Sequence, residues 1–512
     1  MTTRRASFTV FFTAAALLLL LHGNRFVLTN DEGILLEPAR AIAHGSRPYA
    51  DFFGYMSPGS YWIQAALFRV LGVSYWVGRV PVIIDLSAQC AFIFWLVSKL
   101  ASRNAAVATA LLFFGFQIAD PSFLTAQHRW DSGTLALAGI GLALRGKTKL
   151  HASGSGALCA AAAWCTPSAL YVLAVVGAWL ALSRERRDSA LPFIGGAAVI
   201  STLAAGYLTA QGAFLPFLHQ MQWLQKNYSQ VNFMPYGSVP GGYGALLQGA
   251  AGAELAVRAL VVFCLALPAI LPIAAVLLCA AAWKKLPELT LLLPAMLALT
   301  ATSFPRADMM HLAFVAALPY ALTGILLTRL LPRKTGAILF FAIFPLAGLF
   351  TLNNVLGWWN SQTLASPAGA LRVPSAMTGQ MRALLTAVRP GQTMFVYPYM
   401  PVQYFVTRAH NASRYPYLQP GLMTARDAAT ALKELQARPP QWLLYLPLSQ
   451  KEFLRVFPNA KSLDWHFEEL ESWMMQNYAA DPETPLDVGG YRLMKWTGET
   501  SVIHFLPPLH SK

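Results

Sequence analysis

Between residues 8 and 353 the chain returns repeatedly to long apolar runs, and that recurrence restricts its fold more than any motif does. A helix needs roughly 20 apolar residues to cross the hydrocarbon core of a bilayer. Runs of about that size, or somewhat shorter where neighbours bury them, predict spans at 8–23, 79–98, 105–119, 131–144, 155–168, 169–183, 190–211, 256–282, 287–303, 309–330 and 335–353. Only 12% of the residues are charged and 56% are hydrophobic. Soluble domains carry about a quarter charged residues, so the solvent for most of this chain is lipid.

Net charge is +15, which by itself would also suit a nucleic-acid partner. The distribution excludes that reading, because Lys and Arg fall in short clusters between the apolar runs, as topology signals do. Arg145/Lys147/Lys149 precede the run 155–183, and Arg184/Arg186/Arg187 follow it. Two short spans turning near Thr166-Pro167 put both clusters in the cytoplasm, whereas one long span would put one of them outside. Arg4 and Arg5 before the first run suit a retained signal-anchor with its N-terminus inside. Lys99/Arg103, Lys284/Lys285 and Arg329/Arg333/Lys334 then also fall in the cytoplasm. The opposite face receives 24–78, 120–130, 212–255, 304–308 and everything after about residue 356. Cys90, Cys159, Cys165, Cys264 and Cys279 all lie in apolar runs without Cys/His spacing, so neither disulfides nor zinc are expected.

Two external segments, 58–71 and 214–228, are apolar on one face and too short to span, which suits helices lying at the interface. From about 356 the composition changes. Runs at 393–397, 442–446 and 491–494 are strand-like, and 427–436 has a helical pattern. The expected architecture is therefore an α-helical polytopic membrane protein of about eleven transmembrane helices, residues 1–355, with an extracytoplasmic α/β domain, residues 356–512.

Polar residues with chemical capacity gather on the external side. Asp31 and Glu32 follow the first span by a few residues. Asn30 or Asp31 could cap a helix starting at Gly33, or the carboxylates could serve as a general base at the membrane surface. Gln127-His128-Arg129 precedes the fourth span. Arg306, Asp308 and His311 precede the tenth, with Asp308 and His311 on one helical face. A guanidinium there suits a phosphate oxygen bidentately, although Arg and His at span ends also meet lipid headgroups. Asp85, inside the second span, is costly unless partnered, and an ion pair with Arg79 is the expected solution.

The sequence of the first external loop, Asp31-Glu32-Gly33, then Gly45-Ser46-Arg47-Pro48-Tyr49-Ala50-Asp51-Phe52-Phe53, then Pro58-Gly59-Ser60-Tyr61, resembles GT-C glycosyltransferases. The similarity is to the branch with the protein O-mannosyltransferases and the lipid A aminoarabinose transferase. It covers about the first 80 residues and implies transfer of a sugar from a polyprenyl-phosphate donor to a lipid, glycan or protein acceptor. It also implies a multi-pass protein of the bacterial inner membrane with a periplasmic C-terminal domain. By this resemblance Asp31 is the acidic residue of the first loop, with Glu32 beside it, and the two are the expected catalytic residues; Arg306, Asp308, His311, Arg129, His128, Asp51 and Tyr49 are expected to bind substrate. Many relatives carry a Lys-Pro-Pro element after this loop; here Met56-Ser57-Pro58-Gly59 has no lysine, so the later arginines are expected to hold the donor phosphate. Without an Asp-x-Asp motif, no metal is expected, nor any organic cofactor or nucleic acid. A lipid-linked sugar transporter and a non-catalytic subunit of envelope polysaccharide assembly are the competing readings.

Overall fold

A computed structural model describes residues 3–54, 56–118, 121–146, 148–239, 242–332, 345, 348–349, 351–460, 466–480 and 486–498. The membrane part begins with α1 (Thr3–His22), α2 (Asn30–Ala43), α3 (Pro58–Leu71), α4 (Tyr75–Leu100), α5 (Arg103–Gln117) and α6 (His128–Arg145). It continues with α7 (Lys149–Cys165), α8 (Leu170–Leu182), α9 (Ala190–Ala210), α10 (Phe214–Val231) and α11 (Tyr243–Leu247). The last four are α12 (Gly252–Ala282), α13 (Leu289–Ala301), α14 (Met309–Ala313) and α15 (Ala317–Leu330).

Four stretches among the described residues are long and apolar enough to cross a bilayer: Thr3–His22, Tyr75–Leu100, Arg187–Ala210 and Gly252–Ala282. Pro167–Leu182, Leu289–Ala301 and Ala317–Leu330 are shorter apolar helices. Most of the expected span 335–353 lies outside the described residues. The run 155–183 breaks at Thr166-Pro167, where α7 ends and a short 3-10 turn leads into α8. Proline lacks the N–H and forces such a break.

Local signals set the helix starts. Ser74 and Ser102 cap α4 and α5 by accepting from Val77 N and Ala105 N, which satisfies donors a helix start otherwise leaves open. The α7–α9 contact depends on small residues: a Cβ on Gly156 or Gly196 would collide with the carbonyl of Phe193 or Ser153. Such close backbone approach is how helices pack where lipid removes the hydrophobic drive. The segment 58–71 is helical, but Tyr61, Ala65 and Phe68 are buried. Through that face it packs on α2 and α4, while Val70 and Leu71 stay exposed.

The C-terminal part holds a hairpin, β1 (Ser361–Ser366) with β2 (Gly369–Pro374), and a mixed sheet. The sheet contains β3 (Thr393–Tyr397), β4 (His410–Asn411), β5 (Trp442–Tyr445), β6 (Tyr478–Ala480), β7 (Asp487–Val488) and β8 (Tyr491–Trp496). Its order is β4-β3-β5-β8-β6, with β7 on β8. β3 and β5 run parallel, joined through the helix Ala425–Ala437, which packs its apolar face inward. The hairpin fastens to the first loop: Arg372 N donates to Asn24 O at 2.7 Å and Phe26 N to Arg372 O at 2.8 Å. Residues 53 and 414 pair as well, through Phe53 N and Arg414 O at 2.8 Å.

Candidate active site

α2 begins at Asn30, one turn earlier than capping by Asn30 or Asp31 requires, and its N-cap Thr29 makes no side-chain bond. Asp31 and Glu32 therefore lie within the first helical turn, where the helix dipole favours negative charge. Successive helical residues point about 100° apart, and the two carboxylates face different surroundings. Glu32 is fully buried. Its Oε1 meets Arg79 Nε at 2.6 Å and accepts from Ala126 N at 3.1 Å, while Oε2 accepts from the Tyr75 hydroxyl at 2.7 Å. This hub joins α2, α4 and the turn before α6, and it lies behind the cavity wall.

The hub also corrects the expected partner of Asp85. Arg79 is spent on Glu32, the Tyr75 hydroxyl and the carbonyls of Arg25 and Leu124. The Asp85 carboxyl instead lies against the Asp131 carboxyl and the Thr134 hydroxyl. The sequence distance misled here: Arg79 and Asp85 share a helix, but Glu32 reaches the guanidinium first.

Asp31 turns the other way. Its Oδ2 accepts from Gln127 Nε2 at 2.9 Å, and it lines a cavity of about 300 Å³. The cavity draws on separate parts of the chain. The turn into α6 supplies His128 and Arg129, the end of α10 supplies Tyr228 and Asn232, and the turn into α14 supplies Arg306, Asp308 and His311. The C-terminal part supplies Tyr417, Gln419 and Phe457.

Each arginine is held by neighbours of its own. Arg129 is buried, and its Nη1 donates to Thr302 O at 2.8 Å, beyond the end of α13. Arg306 Nε donates to Asp308 Oδ2 at 3.0 Å, and its guanidinium stacks over Phe457 at 5.3 Å. Asp308 caps α14 by accepting from His311 N at 3.0 Å and also meets His311 Nδ1 at 2.7 Å. Burial works against ionisation of Asp308, but the His311 and Arg306 contacts outweigh it and hold the carboxyl down at about 2. An ionised Asp308 fixes the proton of neutral His311 on Nδ1, which leaves Nε2 as the basic nitrogen. His128 Nδ1 contacts the Thr166 hydroxyl at 2.7 Å and so ties the cavity to the α7–α8 break.

Two of the expected substrate contacts stand apart from this cavity. Asp51 is exposed and paired with Arg47 at 2.7 Å, and those hydrogen bonds lower its carboxyl below the usual value. Tyr49 is buried in a left-handed conformation, φ 64°, with its hydroxyl donating to Met56 O at 2.7 Å. Both residues shape the first loop. Of the other lining residues, Gln127 adjoins His128-Arg129 and Tyr228 ends the segment 214–228, whereas Asn232 and Gln419 belong to no segment that the sequence singled out.

Beside the cavity, and sharing Tyr228, runs a more apolar groove of about 650 Å³ between α7, α8, α9 and α10. Trp164, Leu173, Phe217 and Leu224 form much of its wall. Among the described residues, no three His, Cys, Asp or Glu side chains are grouped to hold a metal ion.

These features define a helical, multi-span membrane protein with a sheet-containing C-terminal part and a polar cavity between the two. No family model and no curated protein matches the chain. Among solved structures it is similar to the oligosaccharyltransferase of Archaeoglobus fulgidus, at 12% identity over 94% of this chain and 73% of that one, TM-score 0.47. It is also similar to arabinosyltransferase EmbB from Mycobacterium smegmatis, at 16% identity over 72% and 35%, TM-score 0.43. A third similar structure is ArnT from Cupriavidus metallidurans bound to undecaprenyl phosphate, at 11% identity over 96% and 97%, TM-score 0.38. All three are GT-C glycosyltransferases. At these TM-scores the chemistry has to be read from the cavity itself.

Proposed function

We propose that this chain is a membrane glycosyltransferase that moves a sugar from a polyprenyl-phosphate carrier to an acceptor hydroxyl on the periplasmic side of the inner membrane. The observation that carries the reading is the meeting of Asp31, Arg129 and Arg306, from three distant turns, on one cavity flanked by an apolar groove. A prenyl-phosphate sugar needs that combination of a polar chamber for its head and a greasy channel for its tail. The resemblance of the first loop to GT-C enzymes points the same way. We assign about eleven spans to residues 1–355 and the periplasmic domain to 356–512.

In the reaction, Asp31 takes the proton of the acceptor hydroxyl as its oxygen attacks the anomeric carbon. Gln127 holds the carboxylate from one side. The bond from the anomeric carbon to phosphate oxygen breaks, and the polyprenyl phosphate departs with the electron pair. Arg129 and Arg306 balance the charge that develops on it, as preorganised donors do in sites shielded from water. A single displacement inverts the anomeric configuration. His128 and His311 complete the basic side, and Asp308 aims Arg306. Glu32 acts through position, by fixing the turn that carries Asp31.

Purified protein in lipid nanodiscs should transfer sugar from one member of a panel of polyprenyl-phosphate donors. Asp31→Asn should lower kcat by about 10²–10⁴-fold, the usual contribution of a general base. Full activity in that variant would remove Asp31 from the chemistry, and no transfer by the wild type from any such donor would remove the class.

A further inference from the structure

The cavity has more hydrogen-bond donors than its own residues satisfy. Gln419 Nε2, Asn232 Nδ2 and Arg129 Nε have no hydrogen-bond partner, although the three side chains are 1%, 5% and 7% exposed. On the acceptor side, Gln127 Oε1 is in the same condition, its amide nitrogen being committed to Asp31. The orientation of Gln419 follows from its neighbour: the Tyr417 hydroxyl donates to Oε1, which leaves the nitrogen as the open end. All four residues line the cavity. Buried polar groups in folded proteins are nearly always paired, so three orphaned donors lining one cavity mark the place of a ligand rich in acceptor oxygens.

Resting on the glycosyltransferase reading, we infer that Asn232 and Gln419 form the wall that reads the sugar of the donor, and that they select a neutral, hydroxylated ring over one carrying an ammonium group. A sugar hydroxyl accepts from each amide nitrogen and can donate in turn to Gln127 Oε1. An ammonium brings donors only, so it can accept from none of the two amide N–H groups and the guanidinium, and each donor it faces stays unpaired. The wall belongs partly to the C-terminal part of the chain, so that part takes a direct share in choosing the substrate.

The test uses full-length protein in nanodiscs and equilibrium binding of three kinds of lipid. These are undecaprenyl phosphate alone, the same lipid bearing glucose, mannose or galactose, and the same lipid bearing glucosamine. Wild type should bind its best neutral-sugar lipid about ten-fold or more tighter than the bare lipid and the glucosamine lipid, as expected where a site is built to bond a hydroxyl. Gln419→Glu keeps the acceptor for Tyr417 and replaces the donor by a carboxylate. It should lose most of the neutral-sugar preference and turn the balance toward glucosamine. Asn232→Leu, which adds no charge, should lose the preference without the reversal, while its binding of the bare lipid stays within about two-fold, inside the context scatter of one hydrogen bond. A parallel loss of bare-lipid binding would make the wall a phosphate seat, and equal affinity of wild type for all three lipids would leave it no sugar to read; either overturns the inference. Selective binding without any transfer would instead refute the transferase reading and leave the sugar wall standing.

Discussion

Asp31 and Glu32 are neighbours in sequence, yet the structure gives them different fates, and two substitutions should separate them. Asp31 borders the cavity, so Asp31→Asn should lose transfer while keeping the melting temperature of wild type. Glu32 neutralises a guanidinium with no access to water. Breaking a buried pair by removing one partner costs about 3–5 kcal/mol, so Glu32→Gln should melt well below wild type in the same nanodiscs. Equal melting of the two variants would contradict the division. The motif made Asp31 legible, whereas the role of Glu32 depended on Arg79 and on the amide of Ala126, far along the chain. Asn232 and Gln419 were illegible for a similar reason, since lone amides carry no pattern until the fold brings them together.

Asp308 offers a titration of the basic side. Its carboxyl ordinarily ionises at 3.8 and is held at about 2 in the fold, so the stabilisation it gives is complete above about pH 4 and fades as pH falls toward 2. A depression of that size is worth about 2 kcal/mol. Asp308→Asn should therefore melt below wild type by a constant margin from neutrality to about pH 4, and the margin should close on further acidification. A margin independent of pH across that range would mean that the charge on Asp308 does not hold Arg306 and α14.

At the scale of elements, α2 is the piece on which the two halves of the chain meet. A Cβ on Gly33 would land on the backbone of Pro401 and Val402, where the helix Val402–Thr407 crosses α2. Overpacking in a core typically costs about 1–3 kcal/mol, and backbone cannot rotate away as a side chain can. Gly33→Ala should lower thermal stability and speed proteolytic release of the C-terminal part; unchanged proteolysis would show that α2 does not fasten that part. The strands at 393–397, 442–446 and 491–494 were readable because short apolar and aromatic runs follow turn residues there, Pro390-Gly391, Pro439-Pro440 and Gly489-Gly490. The β1–β2 hairpin escaped notice, since Ser361–Ser366 reads SQTLAS and its stabilising partner lies at residues 24–26. Span counting met a different limit: α13 and α15 have 13 and 14 residues, below the roughly 20 that hydropathy alone would demand.

At the scale of the whole molecule, the cavity imposes a topology. Asp31 from the first loop and Gln419 from the C-terminal part line the same space, so both must lie on one side of the bilayer, and the positive-inside rule assigns the clusters around Arg184 to the other. The five native cysteines are buried, which keeps background labelling by a membrane-impermeant thiol reagent low. His44, Arg184 and Lys433 are exposed and lie, respectively, in the first loop, after α8 and in the helix Ala425–Ala437. His44→Cys and Lys433→Cys should react in spheroplasts with the reagent outside, and Arg184→Cys only after the membrane is opened. Labelling of Lys433→Cys and Arg184→Cys from the same side would break the arrangement at its root. An odd number of spans between the first loop and the C-terminal part would then separate Asp31 from Tyr417 and Gln419, and the cavity that carries the functional reading could not form.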